Sequence, residues 1–265
     1  MYSSFQLAKK YFRYFIHAKN GKGHGIHSPF VFDFVVHVLN DTTNYACYNK
    51  IEDLRRKLLK NEATIAVEDF GAGSSVIPFK KRKVNAIAKS SLKNKKFAQL
   101  IFRMARYYKA KTIVELGTSF GITSCYMAYA NEDGKVYTFE GSKEIAGIAL
   151  KNFATADVQN IKLVEGNFDK TFLPELAKIQ QVDIAFIDGN HRKQPTLNYF
   201  TSLLDKSTPN SVFIFDDVHW STEMEEAWNA IQLHSSVTLT IDLFFIGIVF
   251  FNPDFKVKQH FKIRF

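Results

Sequence analysis

Hydrophobic and polar residues follow a repeated strand-then-helix pattern from Thr112 onward. Short apolar runs such as TIVEL and VYTFE, typical of buried strands, alternate with stretches of helical spacing such as TSCYMAYA and KEIAGIALKNFA. Strands that alternate with helices need right-handed crossovers, and these produce a parallel sheet with helices on both faces. The pattern therefore predicts an α/β fold with a doubly wound, mostly parallel, Rossmann-like sheet.

The end of the chain departs from this alternation, because TLTIDLFFIGIVFFNP and FKVKQHFKIRF have no helical stretch between them. Consecutive strands without a crossover helix pair as hairpins. We therefore expect these segments to close the sheet with an antiparallel C-terminal edge, with Pro253 near a turn.

The first part of the chain has mostly helical patterns. Residues 84–110 place apolar side chains at helical spacing and predict a helix leading into the first strand, and residues 1–20 and 30–60 look similar. We therefore predict a helical, basic N-terminal region at residues 1–83, on the substrate side of the site, and an α/β domain at residues 84–265.

Charge divides the chain near the start of the first predicted parallel strand. Residues 1–111 carry 22 Lys and Arg against 7 Asp and Glu, whereas residues 112–265 carry 13 against 19. Clustered positive charge attracts nucleic acid, anionic membrane surfaces and acidic substrates alike, and it is equally typical of a solvated lysine-rich face. Charge alone therefore leaves the partner open.

Cysteine content and hydropathy favour a soluble cytoplasmic protein. Cys47 and Cys125 are too few and too far apart to predict a disulfide framework or a zinc site. No apolar run approaches the length of a bilayer span, and the first residues lack the pattern of a signal peptide. With 26 Phe in 265 residues, we also expect apolar surface that a homodimer could cover.

Glycines or acidic residues follow each of the five predicted parallel strands. Ligands bind at the carboxyl ends of such strands, where the chain leaves the sheet. A single Gly or Asp there could be a turn residue, but five such ends in succession indicate a ligand site. The ends are Glu115 to Gly121, Glu140, Glu165 to Phe168, Asp188 to His191, and Asp216 to His219.

This ordered set, over residues 95–250, resembles the class I S-adenosylmethionine-dependent methyltransferases, and within them the catechol-type and macrocin-type small-molecule O-methyltransferases. Gly117 and Gly121 have G-x-x-x-G spacing, which does not meet the G-x-G-x-x-G pattern of NAD-dependent dehydrogenases. The resemblance implies that the first turn holds the methionine part of S-adenosylmethionine, the second acid its ribose, and the third turn borders its adenine. The residues it places around the cofactor are Glu115, Gly117, Thr118, Ser119, Gly121, Thr123, Glu140, Gly141, Ser142, Gly166, Asn167, Phe168 and Asp188.

The same family often binds a divalent cation after the fourth and fifth strands, where this chain has Asp188, Asp216 and Asp217. Three converging carboxylates would repel one another unless a hard cation such as Mg²⁺ lay between them. Such an ion could hold an acceptor oxygen near the methyl group and lower its pKa. Alternatively, Asp216 caps the following helix and Asp217 makes a surface contact.

A general base is expected as well, because the acceptor hydroxyl must lose its proton. His191 lies where sugar O-methyltransferases of this family place their base, and His219 is the second candidate. As substrate contacts we expect Trp220 and the loop NGKGHGIHSPF, in which His24 and His27 could close over the acceptor. That loop could instead be a glycine-rich turn before a capped helix.

These patterns predict O-methylation of a small-molecule hydroxyl with divalent-metal assistance, by direct displacement at the sulfonium methyl. One alternative is a nucleic-acid methyltransferase that uses the basic N-terminal half, although the Asn/Asp-Pro-Pro-aromatic loop of amino-methylating enzymes does not follow the fourth strand. Another is a non-catalytic scaffold of the same fold that contacts a membrane surface. VEDFGAGSS at residues 67–75 imitates a cofactor loop, but Pro78 and the basic run Lys80 to Lys83 follow it, so we expect a loop near the site and not a second cofactor site.

Overall fold

The computed structural model describes residues 1–68 and 79–265. Most of VEDFGAGSS lies outside the described residues, so its interpretation stays a prediction. The helices are α1 (Ser4–His17), α2 (Pro29–Phe34, continued by a π-helical turn over Val35–Leu39), α3 (Ala46–Lys60), α4 (Val84–Ser91), α5 (Lys95–Tyr107), α6 (Ile122–Ala130), α7 (Lys143–Ala156), α8 (Phe168–Leu176), α9 (Lys193–Leu204) and α10 (Thr222–Leu233). The strands are β1 (Thr64–Glu68), β2 (Phe79–Lys83), β3 (Thr112–Leu116), β4 (Lys135–Glu140), β5 (Ile161–Glu165), β6 (Ile184–Ile187), β7 (Val212–Asp216), β8 (Leu239–Asp242), β9 (Ile246–Phe250) and β10 (Gln259–Lys262).

The described residues divide into two compact units. The continuous unit contains Thr42–Lys178, and the discontinuous unit contains Met1–Asp41 together with Ile179–Phe265. The domain boundary that the sequence predicts, between residues 83 and 84, falls within the continuous unit. The division into two domains at that point stays a prediction. None of the helices in the two described ranges is long and apolar enough to cross a membrane.

The continuous unit carries the parallel strands β3, β4 and β5, with β4 between the other two. β3 is buried at its last four residues, as expected for a parallel strand covered on both faces. The region before it forms two helices, α4 and α5, instead of one. The apolar stripe that predicted them is buried on α5: Phe97, Leu100, Ile101 and Met104.

Sequence patterning missed the antiparallel hairpin of β1 and β2, in which Thr64 pairs with Lys83 and Glu68 with Phe79. β2 reads FKKRK, and its four basic side chains are exposed. Because both faces of β2 carry charge, the alternation of apolar and polar residues that marks a half-buried strand is missing.

The strands of the discontinuous unit lie in the order β10-β8-β9-β7-β6. β6 and β7 are parallel, and β9 pairs antiparallel with both β7 and β8, which confirms the antiparallel element at the C-terminal edge. The outermost strand is different, because β10 runs parallel to β8. The connection over residues 251–258, with its turn at Pro253, carries the chain back beyond β8.

α1 packs on the β-rich end of the discontinuous unit through one face. The Tyr11 ring meets the Phe244 ring edge-on at 5.1 Å, and the Tyr14 hydroxyl donates to the Asp242 carbonyl at 3.2 Å. Tyr14 is buried. A backbone bridge between Lys19 and Ile263 then fixes the chain just after the helix.

Candidate functional site

The turn after β3 leaves the sheet through left-handed backbone. φ is +101° at Gly117, +49° at Ser119 and +77° at Gly121, a region that side chains with a Cβ rarely adopt. The amides of Gly117 and Thr118 donate to the Phe139 carbonyl at 3.1 and 3.0 Å. Backbone bonds therefore hold this turn against the end of β4.

Gly121 is required by packing as well as by its backbone angle. A Cβ at this position would lie 2.3 Å from Cε1 of Phe153, which belongs to α7. In addition, the Asn152 side-chain amide donates to the Phe120 carbonyl at 2.9 Å. α7 thus supports the turn directly, and part of the glycine signal in the sequence reflects this close contact.

Glu115 lies fully buried beneath the turn. Its Oε2 accepts hydrogen bonds from Ser124 and, at 2.6 Å, from Thr138, whose Oγ1 lies 2.5 Å from the Thr118 hydroxyl. Burial raises the pKa of Glu115 to about 8, although the two hydroxyl donors act in the opposite direction. Its Oε1 has no hydrogen-bond partner among the described residues. Thr118 and Thr123 are buried too, so the Thr118 hydroxyl belongs to this interior network.

Glu140 connects two of the predicted cofactor turns. Its Oε2 accepts from the Ser119 amide at 2.8 Å, and its Oε1 accepts from the Ser142 amide at 3.0 Å. Burial raises the pKa of Glu140 to about 7, against the effect of backbone donors that include Gly141. The Ser142 hydroxyl is buried and has no hydrogen-bond partner in the described ranges.

The third predicted turn is joined to the same group. Gly166 has φ of +123°, and its amide donates to the Glu140 carbonyl at 2.9 Å. The Asn167 side chain accepts from the Asp169 amide at 2.9 Å and caps α8, so one of its polar atoms is already used. Phe168 is half-buried at the start of α8. Hydrogen bonds through Glu140 therefore join the three turns of the continuous unit into one cluster, and its role in holding a cofactor stays a prediction.

Two neighbours of this cluster were not predicted. The Ser91 hydroxyl, at the end of α4, lies 2.9 Å from the Ser119 hydroxyl, and Thr138 links Glu115 to the turn. Neither residue stands at a strand end, where the sequence pattern places candidate ligand residues. Thr138 could have been found as a polar residue inside an apolar strand, whereas Ser91 carries no such signal.

In the discontinuous unit, the chain leaves β6 through Asp188 into a strained turn. Asn190 and His191 have φ of +69° and +34°, unusual for residues with side chains. His191 Nε2 lies 3.6 Å from Asp188 Oδ1, close enough for charge interaction but too far for a good hydrogen bond. The His191 side chain is 34% exposed, so its ring remains accessible to a substrate.

His219 has a different environment. Its Nδ1 lies 3.1 Å from Glu225 Oε1 and its Nε2 lies 2.8 Å from Asp242 Oδ2, while its ring stacks on Phe244. Burial would lower the pKa of His219, but the bonds and charges of Asp242 and Glu225 outweigh it, and the pKa is raised. Both ring nitrogens are thus occupied by carboxylates, which leaves no lone pair for an acceptor proton.

The predicted metal ligands do not form a recognisable ion site. Asp216 is buried at the end of β7, and Asp217 follows it in left-handed backbone, with its amide donating to the Phe245 carbonyl at 2.8 Å. Within residues 1–68 and 79–265, no group of three or more His, Cys, Asp or Glu side chains is arranged to hold a metal ion. The expectation that Asp188, Asp216 and Asp217 converge on a cation is therefore not supported.

The predicted substrate residues lie in both segments of the discontinuous unit. His24 and His27 are exposed, and Ser28 and Pro29 begin α2, with the Ser28 hydroxyl as its cap. The capped turn that the sequence allowed is therefore present, while the role of the two histidines stays a prediction. Trp220 is half-buried, and its carbonyl accepts from the Tyr2 amide at 3.1 Å.

The glycine turn and the acidic residues at successive strand ends are the features on which the resemblance to class I methyltransferases rests. Residues 114–218 match the family model described as a methyltransferase domain. A catechol O-methyltransferase from Niastella koreensis is 32% identical over 126 residues, which is 46% of this chain and 55% of the relative. The chain thus spans little more than half the length of that relative.

Solved structures have the same fold. The SAH-bound methyltransferase PaMTH1 from Podospora anserina is 13% identical with a TM-score of 0.59, over 84% of this chain and 96% of that one. The O-methyltransferase TomG from Streptomyces achromogenes, in complex with SAM, is 19% identical with a TM-score of 0.56, over 83% and 94%. These solved structures confirm the predicted fold class, and the match at residues 114–218 is to a methyltransferase domain.

Proposed function

We propose that this chain is an S-adenosylmethionine-dependent O-methyltransferase that acts on a hydroxyl of a small molecule. The domain match and the O-methyltransferase relatives support the reaction class, and the two solved relatives are described with SAM or SAH bound. The observation that carries the proposal is Glu140, which joins the Ser119 turn to the Gly166 turn and presents a carboxylate at the end of β4.

The cluster in the continuous unit fits the chemistry of this cofactor. A carboxylate that accepts two amides still has lone pairs for the two ribose hydroxyls, which assigns Glu140 to the ribose. Glu115 Oε1 and the Ser142 hydroxyl are buried polar atoms that a ligand donor or acceptor could satisfy. Phe168 offers an aromatic face beside adenine. When bound, the cofactor supplies an electrophilic methyl group on its sulfonium sulfur.

The acceptor proton is assigned to His191. Its accessible imidazole takes the proton from the acceptor hydroxyl, and the Asp188 carboxylate stabilises the imidazolium that forms. His219 is not proposed as the base, because its two ring nitrogens already contact Glu225 and Asp242. Loss of this proton would leave an oxygen nucleophile for the methyl group that the bound cofactor would supply, with its thioether as the other product.

Divalent-metal assistance stays a prediction from the family resemblance, and no step of the reaction is assigned to a metal. Its test is methyl transfer measured after treatment with EDTA and after adding back Mg²⁺. Methyl transfer that requires Mg²⁺, and that Asp216→Asn abolishes, would establish the metal role. Equal rates with EDTA and Mg²⁺ would dismiss it.

The first experiment is calorimetric titration of S-adenosylhomocysteine into the full chain. Glu140→Ala should weaken binding about 10- to 100-fold, because charge-assisted hydrogen bonds contribute roughly 1.5–3 kcal/mol. Glu144→Ala is the matched control, since Glu144 is exposed on the first turn of α7, close to Glu140 in sequence. Failure of the folded wild-type chain to bind, or equal loss in both variants, would reject the proposal.

The second experiment follows transfer of a labelled methyl group to a panel of catechols, sugars and alcohols. His191→Asn should lower kcat by about 10²-fold or more, the usual contribution of a general base, while S-adenosylhomocysteine affinity stays within about twofold. His219→Asn provides the comparison at the other histidine and should retain most of kcat. If His219→Asn lowered kcat more than His191→Asn, His219 would be assigned as the base instead.

A further inference from the structure

α1 has two apolar faces, and only one of them is used by the fold. The inner face carries Leu7, Tyr11 and Tyr14, with the two tyrosines packed against Phe244. A surface helix of a globular protein normally has one apolar stripe facing the core and a polar opposite side. On α1 the opposite side is apolar as well.

The second stripe consists of Phe5, Phe12 and Ile16, with Phe15 beside it. These positions are three, four or seven residues apart, so their side chains share the outward side of the helix. Phe5 is 81% exposed, Phe12 66% and Ile16 56%. At 1.5 Å per residue, the stripe from Phe5 to Ile16 is about 16 Å long. A single exposed Phe is ordinary, but an aligned row of this length indicates a contact surface.

Basic side chains lie beside the stripe, and α1 itself contains no acidic residue. Lys9 and Arg13 are exposed on α1, and the Arg264 guanidinium lies 4.5 Å from the centre of the Phe15 ring. The first 32 residues contain five Lys and Arg and no Asp or Glu, and one of the five, Lys10, pairs with Glu225 at 2.9 Å. An apolar stripe with basic residues along its side is the pattern of helices that lie in the headgroup region of anionic membranes.

The charge argues against a second copy of the chain as the occupant. Two α1 helices packed through Phe12 would bring Lys9 and Arg13 of each copy close together. α1 has no acidic residue that could pair with them. Like charges placed opposite one another disfavour association, whereas an anionic lipid surface satisfies the same residues.

We propose that the outward stripe of α1 docks on an anionic lipid surface, with Phe5, Phe12 and Ile16 inserted among the acyl chains and Lys9 and Arg13 at headgroup level. The inner face stays packed on Phe244, so the helix joins the folded protein to the bilayer without unfolding. This proposal does not depend on the proposed methyl transfer.

The test is co-sedimentation of the full chain with phosphatidylcholine vesicles, with and without phosphatidylglycerol. We expect binding to the anionic vesicles, and binding at least about tenfold weaker with neutral lipid or high salt. A variant with Phe5→Ser, Phe12→Ser and Ile16→Ser should lose about tenfold or more in partitioning. The matched control carries Leu150→Ser, Leu173→Ser and Val257→Ser, three equally exposed apolar residues elsewhere, and should bind like the wild type.

Circular dichroism and thermal melting of each variant show that it is folded, since all six positions are exposed. Absence of vesicle binding by the wild type, or equal loss in the matched control, would overturn the proposal. The proposal would also be overturned if vesicles do not bind and light scattering shows a wild-type dimer that the α1 variant does not form. Binding of single-stranded DNA that depends on the stripe, without vesicle binding, would assign the surface to nucleic acid instead.

Discussion

The affinity for S-adenosylhomocysteine should depend on pH through Glu140. Burial raises the pKa of this carboxyl to about 7 from an ordinary 4.5, a difference of about 3 kcal/mol between its protonation states. The proposed ribose contact needs acceptors for two hydroxyl donors, which the carboxylate provides better than the neutral acid. Binding therefore favours the ionised form, and affinity should rise as pH increases.

The size of the effect follows from the ionised fraction. The Glu140 carboxylate is ionised in most molecules at about pH 8, in about half at pH 7 and in about one in eleven at pH 6. The affinity at pH 6 should therefore be roughly tenfold lower than at pH 8. In the absence of ligand, the contribution of Glu140 to the free energy of unfolding has the opposite pH dependence. A raised pKa stabilises the fold below about pH 4.5, and this contribution is lost as pH rises through about 7.

Calorimetry in buffers of different ionisation enthalpy measures both the affinity and the proton released on binding. Glu140→Gln removes the titrating group, so its weaker binding should be independent of pH between about 6 and 8. Glu144→Gln, in the adjacent turn, should follow the wild type. A flat wild-type profile, or a slope that persists in Glu140→Gln, would refute the assignment of the ribose to Glu140.

Two further predictions concern stability. Gly121→Ala should lower the free energy of unfolding by about 1–3 kcal/mol, because its Cβ would meet Phe153 and its backbone is left-handed; an unchanged urea midpoint would contradict this. His219→Asn should destabilise the protein more at about pH 6 than at pH 9, because the raised pKa stabilises below about 6.5 and this is lost as pH rises through the folded value. Equal losses in thermal melts at both pH values would show that the contacts of His219 with Asp242 and Glu225 do not depend on its charge.

Much of the fold could be predicted because parallel strands and their crossover helices leave strong patterns. β3, β6 and β7 are almost wholly buried, and their apolar runs stand out in the sequence. The hairpin of β1 and β2 could not be found, because charged side chains on both faces of β2 remove the alternation. The parallel direction of β10 depends on where its connection leads, which residue patterns do not encode.

The candidate site could be predicted where backbone geometry restricts residue choice. Gly117 and Gly166 have positive φ, and Glu140 ends a strand beside them, so each leaves a mark in the sequence. The difference between His191 and His219 could not be predicted in the same way. Both follow strand ends, and the carboxylates that contact His219 come from Glu225 and Asp242, which are distant from it in sequence.

The contact between Gly121 and Phe153 also limits how the chain can be recombined with its relatives. A chimera that exchanges the turn before α6 but retains α7 would combine residues from different proteins at a position where any Cβ in place of Gly121 would lie 2.3 Å from the Phe153 ring. Crossover points between these two positions should therefore yield few folded products, unless the donor also has glycine in the turn. Exchanging the segment from β3 through α7 as one block keeps the pair intact and is the better boundary for such libraries.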